Sequence, residues 1–168
     1  MFGFPNPVNE KAARTVAAGV VLLCALTLVL SKAIAPGWIW LTVALAYGFL
    51  ARVATGPRLS PLGQVATRVV APRLGEARLV PGPPKRFAQA IGASLSVAAA
   101  VLGPGLGLVG AAQILVALIL VAATLESVFA VCIGCWLFGR LMRLGVIPEE
   151  TCAACADISS RLVGQGSR

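Results

Sequence analysis

Four stretches of this chain run for about the thickness of a bilayer with almost no charge, and nothing constrains its fold more tightly. They cover residues 15–35, 38–54, 87–103 and 114–137. An apolar helix of about 20 residues pairs all its backbone polar groups internally and so crosses hydrocarbon. The rest of the composition agrees: 58% of residues are apolar and 12% are charged, with a mean hydropathy of +0.91. A soluble domain carries about 25% charged residues, so too few are present here to wet a globule. A water-soluble enzyme domain, a disordered chain and a secreted disulfide scaffold are thereby excluded. The absence of histidine removes His-based acid/base catalysis, His metal ligands and every Ser-His or Cys-His arrangement. The expected fold is all-α, an integral membrane four-helix bundle in contact with the lipid bilayer.

The net charge of +8 sits between the apolar runs, where orienting the chain explains it better than nucleic-acid binding does. With four spans and a cytoplasmic N-terminus, all the basic residues except Lys32 face inward: Lys11, Arg14, Arg52, Arg58, Arg68, Arg73, Arg78, Lys85, Arg86, Arg140, Arg143, Arg161 and Arg168. That asymmetry predicts a multi-pass protein of the inner (plasma) membrane with both termini in the cytoplasm. Ala33-Ile34-Ala35 after a basic start resembles a signal-peptide cleavage site. Pro36 follows the would-be cut and the apolar run exceeds a signal core, so the segment reads as a retained first span. Residues 1–144 then form one transmembrane domain, and 145–168 a cytoplasmic tail with its own helix.

Local signals punctuate the spans. Pro5-Asn6-Pro7 is extended, and Asn9 is placed to cap the first helix. The inner loop, 55–86, holds Ser60-Pro61, an N-cap followed by proline at the first helical position. Leu62, Val65 and Val69 then share one face, which predicts a short amphipathic helix on the inner leaflet. Arg52 at the end of the second span is placed to snorkel to the headgroups, and Lys85-Arg86 anchors the third. Ala88, Gly92, Ser96 and Ala100 form a small-residue stripe for close helix packing, within the chain or in a homodimer. Gly103-Pro104-Gly105 reads as the turn that ends the third span. Cys24 is a small apolar filler.

Between Leu106 and Leu137 the run is too long for one untilted span. With Glu126 at the inner boundary the helix runs over about 106–125; Trp136, Phe138, Arg140 and Arg143 form an aromatic-then-arginine boundary, which favours instead a helix over 114–137. Glu126 would then lie deep in the membrane, where an acidic residue marks function unless it is paired, for example with Thr42, Ser94 or Ser96. A break at Glu126-Ser127 is the compromise register. Glu126 also supports, with the Gly-rich turn, the reading of a small transporter.

The reactive groups cluster at the C-terminal end. Cys132-Ile133-Gly134-Cys135 is followed after 16 residues by Cys152-Ala153-Ala154-Cys155. On the reducing face of a membrane, permanent disulfides are excluded. The spacing matches a tetrathiolate zinc site, which would clamp the tail under the fourth helix. It equally matches two dithiols cycling through disulfides, with Glu126 as a proton donor. In a continuous fourth helix Cys132 and Cys135 would feel the negative end of the helix dipole, which disfavours the thiolate. A break before Cys132 reverses that. Glu149 and Glu150 raise the second pair's thiols.

With these residues in view, the chain resembles the bacterial integral-membrane family domain of unknown function 4395. The resemblance rests on Pro7-Val8-Asn9-Glu10, Pro84-Lys85-Arg86-Phe87-Ala88, Cys132-Ile133-Gly134-Cys135, and Pro148-Glu149 ahead of Cys152 and Cys155. It brings no established activity. It implies a small multi-spanning protein in the company of thioredoxin-like and sulfurtransferase-type soluble partners, and so favours thiol chemistry over passive zinc.

Overall fold

The computed structural model describes residues 5–147. Cys152, Cys155 and the tail helix expected from the sequence lie outside the described residues.

The chain begins with a clasp. Val8–Asn9 (β1) pairs antiparallel with Leu79–Val80 (β2), Val8 opposite Val80 and Asn9 opposite Leu79. Asn9 then does what its chemistry predicts: its side chain accepts a hydrogen bond from the Lys11 N–H and caps α1, Glu10–Ala33. Pro36 opens a 3₁₀ turn, Pro36–Trp40, that leads into α2, Leu41–Thr55. Ser60 caps α3, Pro61–Val65, by accepting from the Gly63 N–H. A wider turn at Ala66–Val70 carries α3 on to Ala71–Arg73. After β2 come α4, Gly82–Ala100, α5, Val109–Phe129, and α6, Ile133–Arg143.

Four of these units are long and apolar enough to cross a membrane: Glu10–Ala33, Pro36–Thr55, Gly82–Gly105 and Val109–Phe129. The third exceeds its expected end. Gly103-Pro104-Gly105 does not turn the chain but widens α4 into a π-type turn, Val101–Gly105. Pro104 has no N–H to give and its ring crowds the preceding turn, and extra width accommodates both.

The bundle joins α1 to α5, α5 to α4 and α4 to α2, with α6 folded back against α4. Small and β-branched side chains fill much of its interior, beside the larger Leu45 and Phe49: Cys24, Ala99, Ala112 and Val116 are fully buried, together with Thr27, Thr42 and Ser96. The three hydroxyls bond carbonyls of their own helices, at Leu23, Ile39 and Ala93. Leu22, Leu26 and Val29 on α1, and Ile114, Leu118 and Val121 on α5, point outward. Large apolar groups turned outward around a closely packed interior are what a lipid solvent permits and water does not.

Small residues set the close approaches. A Cβ on Gly92 would collide with the Phe49 ring of α2, and one on Gly134 would lie 2.5 Å from the Ala88 Cβ. The α4 stripe therefore serves packing within the chain, Gly92 against α2 and Ala88 against α6. The loop helix departs from its expected amphipathic face. Gly63, Ala66 and Ala71 are buried, whereas Val65 and Val69 are exposed. Backbone proximity to α1 outweighs the larger side chains, and of the expected trio Leu62 packs on α1 at Gly19.

Candidate functional site

The site begins where the fourth span ends. A helix over 114–137 is not what forms: α5 stops at Phe129, and Ala130 takes the left-handed conformation at φ 57°. The Val131 N–H reaches back to the Leu125 carbonyl at 3.1 Å, and the Ala130 N–H bonds the same carbonyl, closing the helix end. Arg14 of α1 completes it. Its guanidinium donates to the Ser127 carbonyl at 2.9 and 3.1 Å and to the Val128 carbonyl at 3.1 Å. A cation there satisfies otherwise orphaned carbonyls and suits the negative end of the dipole.

The break falls three to four residues after the compromise position at Glu126-Ser127, and it reverses the electrostatics of the first cysteine pair. Cys132 becomes the N-cap of α6. Its Sγ accepts from the Cys135 N–H at 3.4 Å, so the pair occupies the first turn of a helix and faces the positive end of the dipole. The hydrogen bond from the Cys135 thiol lowers Cys132 from the ordinary thiol value to about 7, and the Lys85 ammonium and the Cys135 N–H act in the same direction. The same sharing holds the proton on Cys135, which burial raises further. Sequence identity puts two equal thiols in the motif; the fold makes one acidic and the other a proton holder.

Charged groups from two spans lie beside the pair. Lys85 Nζ lies 2.5 Å from Glu126 Oε1, both side chains largely buried at 11% and 16% exposure. Glu126 thus has an ion-pair partner on α4. The hydroxyls expected as its partners are engaged with their own helices, Thr42 and Ser96 as above and Ser94 with the Ala90 carbonyl. Glu126 is also not mid-helix, since α5 ends one turn later. Lys85 turns inward to meet it, while its neighbour Arg86 stays exposed.

Arg52 departs furthest from its expected place. It does not snorkel outward but is buried, 6% exposed. Its Nε donates to Gln89 Oε1 at 2.9 Å, a longer contact of 3.5 Å joins Nη1 to Ser60 Oγ, and the guanidinium stacks on Phe49 at 4.6 Å. Sequence reasoning counted Arg14, Arg52 and Lys85 only as orienting charges. Their shared signal is a basic residue within or next to an apolar run, which in a packed helix points inward as readily as outward.

Phe138 seats α6 by packing edge-on against Phe87, ring centroids 5.6 Å apart. Trp136 remains exposed under Arg140, whose guanidinium lies 4.7 Å from the ring. Among the described residues no three metal-ligating side chains converge. Cys132 and Cys135 supply two thiolate donors at most, and the other half of the expected zinc set lies outside the described residues.

The family model described as Domain of unknown function (DUF4395) matches residues 8–143. The chain belongs to that family. The DUF4395 match takes in all four apolar spans and the Cys132–Cys135 pair, and it ends with α6; Cys152 and Cys155 lie beyond it. No curated protein and no solved structure matches significantly.

Proposed function

We propose that this DUF4395 chain is an integral-membrane thiol–disulfide exchange or sulfur-relay component. The supporting observation is the placement of Cys132 as the N-cap of α6 with Cys135 one turn on. In this reading the Cys132 thiolate attacks a disulfide of a soluble partner of thioredoxin-like or sulfurtransferase type. A mixed disulfide forms and one partner thiolate leaves. The leaving thiolate takes the Cys135 proton, and the Cys135 thiolate then attacks Cys132 sulfur and releases the second partner thiolate. Two electrons pass to the partner, which ends as a dithiol, and the Cys132–Cys135 disulfide remains. Cys152 and Cys155, or a soluble dithiol, return the two electrons. Glu126, paired with Lys85 beside the thiols, tempers the cation's effect on Cys132.

The same reading places both termini and the cysteine pairs in the cytoplasm, at the plasma membrane, with 1–144 as the membrane domain and 145–168 as the tail. The basic residues support it, since all but Lys32 fall on one side of a four-span topology.

The test is mixed-disulfide trapping in cells. Cys135→Ser leaves the attacking sulfur and is expected to accumulate an adduct that reductant removes, whereas Cys132→Ser gives none. Equal trapping by both variants, or by neither, overturns the reading. Zinc content read on the same anaerobic preparations separates the competing scaffold: about one zinc per chain, lost in Cys152→Ser, would replace exchange by a tetrathiolate clamp.

A further inference from the structure

Beneath the β1–β2 clasp lies a cavity of about 280 Å³ that neither Cys132 nor Cys135 lines, though it shares Lys85 with the thiol site. Its walls are mostly apolar, among them Pro7, Val8, Ala13 and Val16, and its polar side chains are Asn9, Arg52, Thr67, Lys85 and Gln89. Arg52 is more than nine-tenths buried. Among the described residues it makes no salt bridge: Glu126 pairs with Lys85 and attracts Arg52 only at longer range, and Glu10 pairs with Arg78 at 3.0 Å. Its Nε and Nη1 are engaged with Gln89 and Ser60, while Nη2 has no hydrogen-bond partner among the described residues. No side-chain nitrogen among them is at once sealed from solvent space and unbonded, so Nη2 borders open space.

A buried guanidinium without a contacting carboxylate is costly, and the cost is relieved when an anion enters beside it. The counter-charge belongs to a molecule whose remainder suits apolar walls. We infer that this cavity binds an apolar carboxylate, the carboxylate at Arg52 and the hydrocarbon body along Pro7, Val8, Ala13 and Val16. A fatty acid from the bilayer and a small organic acid from the aqueous phase present the same chemistry. This binding does not depend on thiol exchange.

The experiment uses the full chain in a neutral detergent, with native mass spectrometry for adducts and thermal unfolding for stability. Octanoate is expected to give a saturable adduct and raise the melting temperature. 1-Octanol, with the chain but no charge, and sulfate, with charge but no chain, are expected to do neither. Arg52→Gln is expected to weaken octanoate binding at least tenfold. Ala13→Phe, which keeps Arg52 and fills the space, must also abolish it, so a misfolded Arg52 variant does not decide the matter. Octanol binding as well as octanoate, sulfate binding as well as octanoate, or full octanoate binding by Ala13→Phe each overturns the proposal. An adduct of fatty-acid mass that co-purifies with wild type and not with Ala13→Phe identifies the bilayer as the source; benzoate binding without one identifies the aqueous phase.

Discussion

Cys132 and Cys135 are the same side chain three positions apart, and their difference is made by what donates to what. Cys132 receives two donors, the Cys135 thiol and the Cys135 N–H, and Lys85 adds positive charge. Cys135 keeps a proton that a neighbouring thiolate holds in place. Iodoacetamide should therefore modify Cys132 first, at a rate half-maximal near pH 7, well below an ordinary thiol. Lys85→Gln should move that midpoint upward, because it removes a cation that favours the thiolate, and Glu126→Gln should move it downward, because it removes an opposing negative charge. Peptide mapping after brief alkylation across pH 6 to about 10 checks both shifts. A midpoint near the usual thiol value in all three proteins would leave the proposed division of labour without support. The sign carries into stability: a group whose folded titration lies below its unfolded one adds stability above the unfolded value and loses it as pH falls through the folded one. The contribution of Cys132 is thus complete above pH 9 and fades down to about 7.

Among the elements, the end of α5 is decisive. Ala130 in the left-handed region costs about 1–2 kcal/mol relative to a helical residue, and glycine adopts that conformation freely. Ala130→Gly should accordingly stabilise the protein by about 0.5–1 kcal/mol, the unfolded chain's added freedom offsetting part of the gain. Arg14→Met should destabilise by about 1–3 kcal/mol, since it strips charged donors from carbonyls at a helix end. Denaturant unfolding in detergent measures both, and a loss of stability in Ala130→Gly would show that the break is not under backbone strain. This break also marks the limit of what the sequence makes legible. Asn9 and Ser60 cap their helices as local chemistry dictates, and the four spans follow from apolar length alone. At Ala130-Val131-Cys132 there is neither glycine nor proline, and the partner that ends the helix, Arg14, is more than a hundred residues away. The same holds for the site. The cysteine motif is visible as spacing, whereas Lys85 meeting Glu126 and Arg52 turning inward are products of how α2, α4 and α5 assemble. A second element test follows from α6. Gly134 lets it lie on Ala88, so Gly134→Val should push α6 away at a cost of about 1–3 kcal/mol and speed alkylation of Cys135, read by the same mapping.

At the scale of the whole molecule, charge and burial divide the labour. The interior is uncharged along most of its length, and its ionic groups gather at one end, where Arg14, Arg52, Lys85 and Glu126 tie α1, α2, α4 and α5 together. The opposite end holds Lys32 and the open turn around Gly37, where nothing crowds an added side chain. If all but one of the basic residues are held inside by the positive-inside preference, a membrane-impermeant maleimide should label a cysteine at position 37 on intact cells and leave one at position 58 unlabelled until the membrane is opened. Both replacements sit on exposed positions, Gly37 and Arg58, so neither should disturb folding. The reverse pattern would put the Cys132–Cys135 pair on the oxidising side. Its resting state would then be the disulfide, and a partner would have to supply electrons from outside. Orientation thus decides the direction in which electrons run through the pair, because the same two sulfurs give electrons up in one compartment and accept them in the other.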